Sequence, residues 1–316
     1  MNTAETSRRT FLKTAAALLG GIAVGVRQAL GSTNTEAAWR ARFAALPIEP
    51  IKLTNLITLF TGPGGNVVVR NGEEGKVVVD TFVQGAFPGL KQRLDAMGKT
   101  PILYVINTHW HFDHTDNNET FRQTGAEICA QENTKKRLGE PHELLGMHIP
   151  PSPAGAMPTR TFRQFDKIEF NLPGTEEFID MEHVPRAHTD GDLFVRFVMG
   201  DVLHMGDSFS NGTYPYIDVG TGGSIDGMIA AVERALKVTN PGTKIVPGHG
   251  PLGDRMALAR YRDMLATVRE RVQKLKKSGR TEQEVVASKP TADLDPMWSN
   301  GLISADEFVP TVYKTL

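Results

Sequence analysis

The 316 residues carry 35 Lys and Arg against 36 Asp and Glu, for a formal net charge of −1, and they include a single cysteine, Cys129. A chain this close to neutral offers no basic field to hold a nucleic acid, and one cysteine rules out an internal disulfide. The length suffices for one large domain with a sizeable core, and no internal repeat or low-complexity stretch divides it.

The chain opens with Ser7-Arg8-Arg9-Thr10-Phe11-Leu12-Lys13, followed by an apolar stretch over residues 14–26 rich in Ala and Gly. That stretch is too short and too small-sided to make a membrane span, and it lacks the polar face of an amphipathic helix. Two adjacent arginines ahead of such a core resemble a twin-arginine export signal; Ala29 and Gly31 are small residues spaced for cleavage near Ser32. A retained membrane anchor is the alternative. The resemblance implies that the twin-arginine translocation machinery carries the folded protein to the periplasm. Cleavage near Gly31 would then leave no stable membrane association. Residues 1–31 are therefore set aside as the signal and residues 32–316 taken as the domain. Without the signal, which carries Arg8, Arg9, Lys13 and Arg27 against Glu5, the charge of −1 falls to −4.

Residues 53–60 and 66–70 alternate apolar and polar positions around Gly62-Pro63-Gly64-Gly65, and Asn71-Gly72-Glu73-Glu74-Gly75 turns the chain into Lys76-Val77-Val78-Val79-Asp80. These are hairpins opening a sheet layer. A helix is predicted over residues 87–97, returning to a buried strand over residues 101–107. Directly after that strand stands Thr108-His109-Trp110-His111-Phe112-Asp113-His114. Three imidazoles and a carboxylate where a strand gives way to a loop are metal-ligand types at metal-ligand spacing. His109 and His111, two apart, leave an extended segment on the same side. Asp113 and His114, on a turning loop, address a neighbouring point. The pattern suits two metal ions side by side.

A helix over residues 117–124 and a strand over residues 127–130 follow. Residues 137–165, rich in proline and carrying His142 and His148, read as a long loop flanking the cleft; neither histidine has a partner at ligand spacing. His188 stands in Ala187-His188-Thr189-Asp190-Gly191-Asp192, before a strand over residues 193–197, with His183 the weaker candidate five residues earlier. Val202-Leu203-His204-Met205-Gly206-Asp207 places His204 in a strand and Asp207 after it. Lys244-Ile245-Val246-Pro247-Gly248-His249-Gly250 is strand then turn. Tyr214 and Tyr216 lie close to Asp207 in sequence, suited equally to substrate contact, core packing or loop anchoring. Ser224 caps a helix over residues 225–238. A long amphipathic helix covers residues 252–277, and Trp298 and Phe308 are expected to pack the tail back onto the body.

Taken together, His-x-His-x-Asp-His, His-Thr-x-Gly-Asp, Gly-Asp and Gly-His-Gly follow one another from residue 109 to residue 249. In this order they resemble the metallo-β-lactamase-fold hydrolases, a superfamily that includes glyoxalase II, lactonases, phosphodiesterases and zinc β-lactamases. The resemblance implies an α+β fold, a four-layer αββα sandwich with the site at one edge of its two sheets. It implies that His109, His111 and His188 hold a first metal, that Asp113, His114 and His249 hold a second, and that Asp207 bridges them. Asp80 would buttress the metal loop, although a plain strand-end turn residue fits it almost as well. Cys129, inside a strand, is a small buried hydrophobe and not a ligand.

Imidazole and carboxylate donors without thiolate suit two Zn2+, with iron or manganese also accommodated. The activity implied is hydrolysis of a small-molecule ester, thioester, lactone or lactam by hydroxide formed between the metals, with Asp113 also orienting it and moving a proton. Alternatives are a zinc β-lactamase proper, a mononuclear iron sulfur dioxygenase using the first-site ligands, and an exported metal-binding protein without catalysis. The complete ligand set argues against the last, since unneeded buried charges are a liability.

Overall fold

The computed structural model describes residues 35–174 and 176–316; the expected export signal lies outside them. The described chain enters through α1 (Glu36–Ala44), capped by the Thr35 side chain. It then lays down four antiparallel strands, β1 (Glu49–Lys52), β2 (Ile57–Thr61), β3 (Val67–Asn71) and β4 (Lys76–Val79). Helix α2 (Phe87–Ala96) returns the chain to β5 (Ile102–Ile106), parallel to β4. The single turn α3 (Phe112–Thr115) and then α4 (Asn118–Gln123) lead to β6 (Glu127–Gln131), parallel to β5. After α5 (Glu132–Leu138) come the hairpin β7 (His142–Leu144) and β8 (Met147–Ile149), then β9 (Arg160–Phe162) on the free edge of β6.

The second sheet starts at β10 (Phe165–Phe170) and continues antiparallel through β11 (Glu177–Val184), β12 (Asp192–Phe197) and β13 (Val202–His204). Helix α6 (Ile225–Val238) carries the chain to β14 (Lys244–Val246), parallel to β13. The long α7 (Arg255–Lys277), then α8 (Glu282–Ala287), α9 (Asp295–Trp298) and α10 (Ala305–Thr315), complete the chain.

Alternation along the strands sorts side chains into three apolar layers. Val77 and Val79 of β4 and Ile106 of β5 face inward against Ile179, Met181, Val195 and Phe197 of the second sheet. Val78 and Val105, one residue out of phase, face outward onto Trp39, Leu90, Leu94 and Phe121. On the far side, Leu203 and Ile245 meet Val232 of α6 and Leu258 and Leu265 of α7. Each such side chain contributes roughly 1.5–3 kcal/mol on full burial. The layers are helix, sheet, sheet, helix, the expected αββα sandwich. Trp298 and Phe308 join the far apolar layer, so the tail packs back as expected.

The sequence reading misses several elements for identifiable reasons. Residues 137–165 are not one long loop. They hold the end of α5, the β7–β8 hairpin and β9, in strands of three residues, too short for a period to show. The hairpin turns on Leu145 (φ 51°) and Gly146 (φ 75°), and leucine at a left-handed position hides the usual turn signal. The strand expected over residues 53–60 begins only at Ile57, because the Thr54 hydroxyl accepts from the N–H groups of Leu56 and Ile57 and turns the chain there. Strand β1, exposed along its length, has no buried face to alternate.

Candidate metal centre

Because β4 runs parallel to β5, and β13 to β14, their C-terminal ends gather on one rim of the sandwich. Asp80 follows β4, the histidine loop follows β5, Asp207 follows β13 and His249 follows β14. Strand β12 runs antiparallel to β13, so the residues just before it, including His188, reach the same rim. The two sheets are stitched there by main-chain bonds, Leu193 N–H to the Thr108 carbonyl (2.8 Å) and Asn66 N–H to the Gly248 carbonyl (2.7 Å).

The structure brings all seven sequence-predicted residues together, in two groups. His109, His111, His188 and Asp207 form one and Asp113, His114 and His249 the other, with ligand atoms within 4.8 Å of one another in each. Asp207 stands between them. Its Oδ1 lies 3.2 Å from His114 Nε2, and its Oδ2 lies 3.2 Å from His249 Nε2 and 3.6 Å from His188 Nε2.

Acceptors outside the centre fix which nitrogen faces inward on four of the five rings. His114 Nδ1 lies 2.8 Å from Asp80 Oδ2, and a carboxylate only accepts, so Nδ1 carries the proton and Nε2 faces inward. The Thr108 hydroxyl donates to Asp80 and accepts from His109 Nδ1 at 3.0 Å. His188 Nδ1 donates to the Tyr216 carbonyl at 2.8 Å, and His111 Nε2 to Asp218 at 3.2 Å. The inward nitrogens of His111 and His188 then face each other at 2.9 Å with both protons committed elsewhere, an arrangement that repels unless a cation lies between. Among the described residues, His109 Nε2 and Asp207 Oδ1 are buried with no hydrogen-bond partner. Buried polar groups are otherwise almost always paired, so this donor set fits divalent cations.

Protonation follows the same division. Burial, reinforced by the charge of His114, holds His109 well below the usual histidine range, and burial lowers His188 to about 4. Burial also opposes charge on His114 and His249, but the carboxylates of Asp113 and Asp207 outweigh it and raise both. Burial would raise Asp113, yet His114 and His249 hold it at about 2.

Two glycines make room for this. A Cβ on Gly65 would lie 2.2 Å from His114 Cε1, and one on Gly248 would lie 1.9 Å from Asp207 Oδ1. Gly250, at φ 95°, supplies the turn that aims His249.

The sequence model of the Metallo-beta-lactamase superfamily matches residues 61–249, more than half of the chain. The chain belongs to that superfamily. As a metallo-β-lactamase-superfamily protein it is a metallo-hydrolase with a His/Asp metal-binding cluster. A protein described as "Probable metallo-hydrolase" from Methanocaldococcus jannaschii is 27% identical over 187 residues, 58% of this chain and 86% of the relative. The metallo-beta-lactamase from Pontibacter korlensis has a similar structure at TM-score 0.57 and 18% identity, covering 70% of this chain and 99% of its own. The stereoselective inverting sec-alkylsulfatase Pisa1 from Pseudomonas sp. covers 93% of this chain at TM-score 0.62 and 16% identity, while the chain spans 54% of that larger protein. At these identities the two structures bear on the fold.

The Tyr216 ring lies against the cluster, its centroid 5.9 Å from that of His111 and 6.0 Å from that of His188; the other candidates are held by contacts of their own. His204 is buried in β13, with Nε2 3.2 Å from the Asn66 carbonyl. His183 meets the Asp190 carbonyl, and exposed His148 meets Glu143. His142 packs against Trp110, the rings tilted with centroids 4.4 Å apart. Cys129 is buried in β6 and burial pushes its thiol up to about 12. Tyr214 donates to Asp295 and stacks on Phe308, an anchoring role. The sequence reading gives no role to Asp218, to the Tyr216 carbonyl, or to Asp192, which accepts from the His188 and Thr189 N–H groups. Asp192 carries a signal, as the last residue of the His-Thr-x-Gly-Asp motif; the other two carry none.

Proposed function

We propose that the chain is a binuclear, zinc-dependent hydrolase of small activated esters, thioesters or lactones, with at most weak action on β-lactams. The observation that carries this reading is the double donor set around Asp207, whose carboxylate touches both groups, Oδ1 facing His114 and Oδ2 facing His249 and His188. Two divalent cations there would lower the pKa of a shared water toward neutrality and polarise the bond under attack. Imidazole and carboxylate donors suit zinc and also accept iron or manganese.

The chain's own residues set the preference. Asp207 adds negative charge between the two positions, which holds cations close and makes the centre less electrophilic. That favours a substrate with a good leaving group over an amide. The first group is sealed from solvent, whereas the side chains of Asp113 and His249 remain 17% and 38% exposed. Substrate therefore approaches over the second group, where Asp113 can take a proton from the nucleophile and pass it to the leaving group. Asp80 and Asp218 each back one histidine, turning its other nitrogen toward the centre. The reading includes export, with residues 1–31 removed and the enzyme working in the periplasm.

Protein purified without added metal should carry two zinc ions per chain. It should hydrolyse esters or lactones in a panel that also holds thioesters, phosphodiesters, sulfate esters and β-lactams. One iron per chain would instead favour a sulfur dioxygenase. A penicillin or carbapenem turned over far more efficiently than any ester or lactone would sink the substrate assignment.

A further inference from the structure

The metal loop is gripped from outside by the first helix of the described chain. Arg40 of α1 places Nε 2.6 Å from Asp116 Oδ2 and Nη2 2.7 Å from Asp116 Oδ1, a bidentate, charge-assisted pair. Its guanidinium carbon sits 5.2 Å over the Phe112 ring, and Glu36 pairs with its remaining arm. Asp116 also accepts from Gln84 N–H at 2.8 Å. Trp39, beside Arg40 in α1, is buried in the apolar layer on the outer face of the first sheet, which seats the helix.

Phe112 and Asp116 flank the turn that carries Asp113 and His114. They are four residues apart, hence on one face of it, and Asp116 N–H closes the turn on the Phe112 carbonyl at 2.9 Å. The inner side of the turn is already held. Thr81 and Asn107 donate to the His114 carbonyl, and Asp80 pins the His114 ring. Arg40 supplies the outer jaw. Asp113, the partly exposed ligand candidate, lies between the two gripped residues, and among the described residues its carboxylate is met by rings of the centre itself, His114 and His249.

We infer that Arg40 is a positioning residue that sets Asp113, through Asp116 and Phe112, and thereby the affinity of the second metal position. The inference rests on the two-metal reading above. Lysine cannot replace it fully, because a point charge lacks the planar fork that meets both oxygens of Asp116.

The test titrates the full-length, chelator-stripped protein with Zn2+ against a chromophoric competitor, resolving first and second equivalents. Arg40→Gln should weaken the second equivalent by ~10–100-fold, the usual range for a lost supporting contact behind a ligand, and leave the first within about two-fold. Arg40→Lys should fall between Arg40→Gln and wild type, and it decides the matter if the glutamine variant does not fold. Asp116→Asn should resemble Arg40→Gln, and the double variant should be no worse than either single. Equal weakening of both equivalents, no weakening, or additive effects would overturn the inference. A wild type that binds one zinc would instead defeat the two-metal reading on which it stands.

Discussion

Gly65→Ala tests whether space, and not chemistry, seats His114 in the centre. Gly65 is not among the residues with positive φ, so alanine meets no backbone penalty and the whole effect is steric. The new Cβ would lie 2.2 Å from His114 Cε1 and 2.7 Å from Nε2, against roughly 3.5–4.0 Å for an ordinary carbon contact. One side must therefore give by more than ~1 Å. The ring is pinned at Nδ1 by Asp80. The glycine loop is pinned by Asn66, whose side-chain amide donates to the Pro247 and Gly250 carbonyls. Overpacking of this kind costs about 1–3 kcal/mol, and displacing a catalytic group by ~1 Å costs on the order of 100-fold in rate. Thermal unfolding of the metal-free protein, zinc titration and turnover of the best substrate should all fall. Gly139→Ala, whose Cβ would stand 3.4 Å from its nearest neighbour, serves as the control. A Gly65→Ala protein with wild-type second-equivalent affinity and rate would refute the reasoning.

Asp218→Asn should weaken the first zinc equivalent by ~10–100-fold and spare the second, since His111 loses the carboxylate charge behind its ring, and with the amide oxygen kept at Oδ2 an NH2 would face the Thr221 N–H that Oδ1 now accepts; equal loss at both positions would count against it. His188→Ala should empty mainly the first position and His249→Ala the second, read as metal per chain after gel filtration. Replacing Arg8 and Arg9 together by lysine should keep the protein in the cytoplasm, and unchanged periplasmic recovery would end the twin-arginine reading. Cys129, with its thiol pushed up to about 12 by burial, should not react with a thiol reagent at neutral pH until the protein is unfolded; a fast native reaction would contradict its placement.

What was legible in the sequence was whatever a local pattern must declare. His109, His111, Asp113 and His114 share one strand end, so their types and spacing expose them directly, and the order of the later motifs adds His188, Asp207 and His249. The αββα layering came with the resemblance, while strand and helix periods placed β3 to β6 and α6 and α7 within a residue or two, apart from the start of α7. The supports of the centre were less visible, because they are long-range or carried by the main chain. The Tyr216 carbonyl that holds His188 could come from any residue type. Asp218 meets His111 across 107 residues, and nothing local marks it. Gly65 reads as turn chemistry, whereas the structure makes it clearance for a ring forty-nine positions away in the chain.

The seam between the sheets has a consequence for how long a cation stays. Each donor group draws on both sheets, joining His111 to His188 across 77 residues and His114 to His249 across 135. A bound ion would thus act as a cross-link closing a long loop, the kind of closure an unfolded chain finds costly, and would stabilise the folded state by ~4 kcal/mol at a thousandfold excess over its dissociation constant. We predict that the ion in the first group, enclosed by four buried donors, leaves only when the sheets part. Its isotope-exchange rate should then match the hydrogen-exchange opening of β5 and β13, and much faster metal exchange would rule this out. On that account metal retention is a matter of unfolding rate, and, if the chain is exported as proposed, an ion loaded beforehand would travel with it.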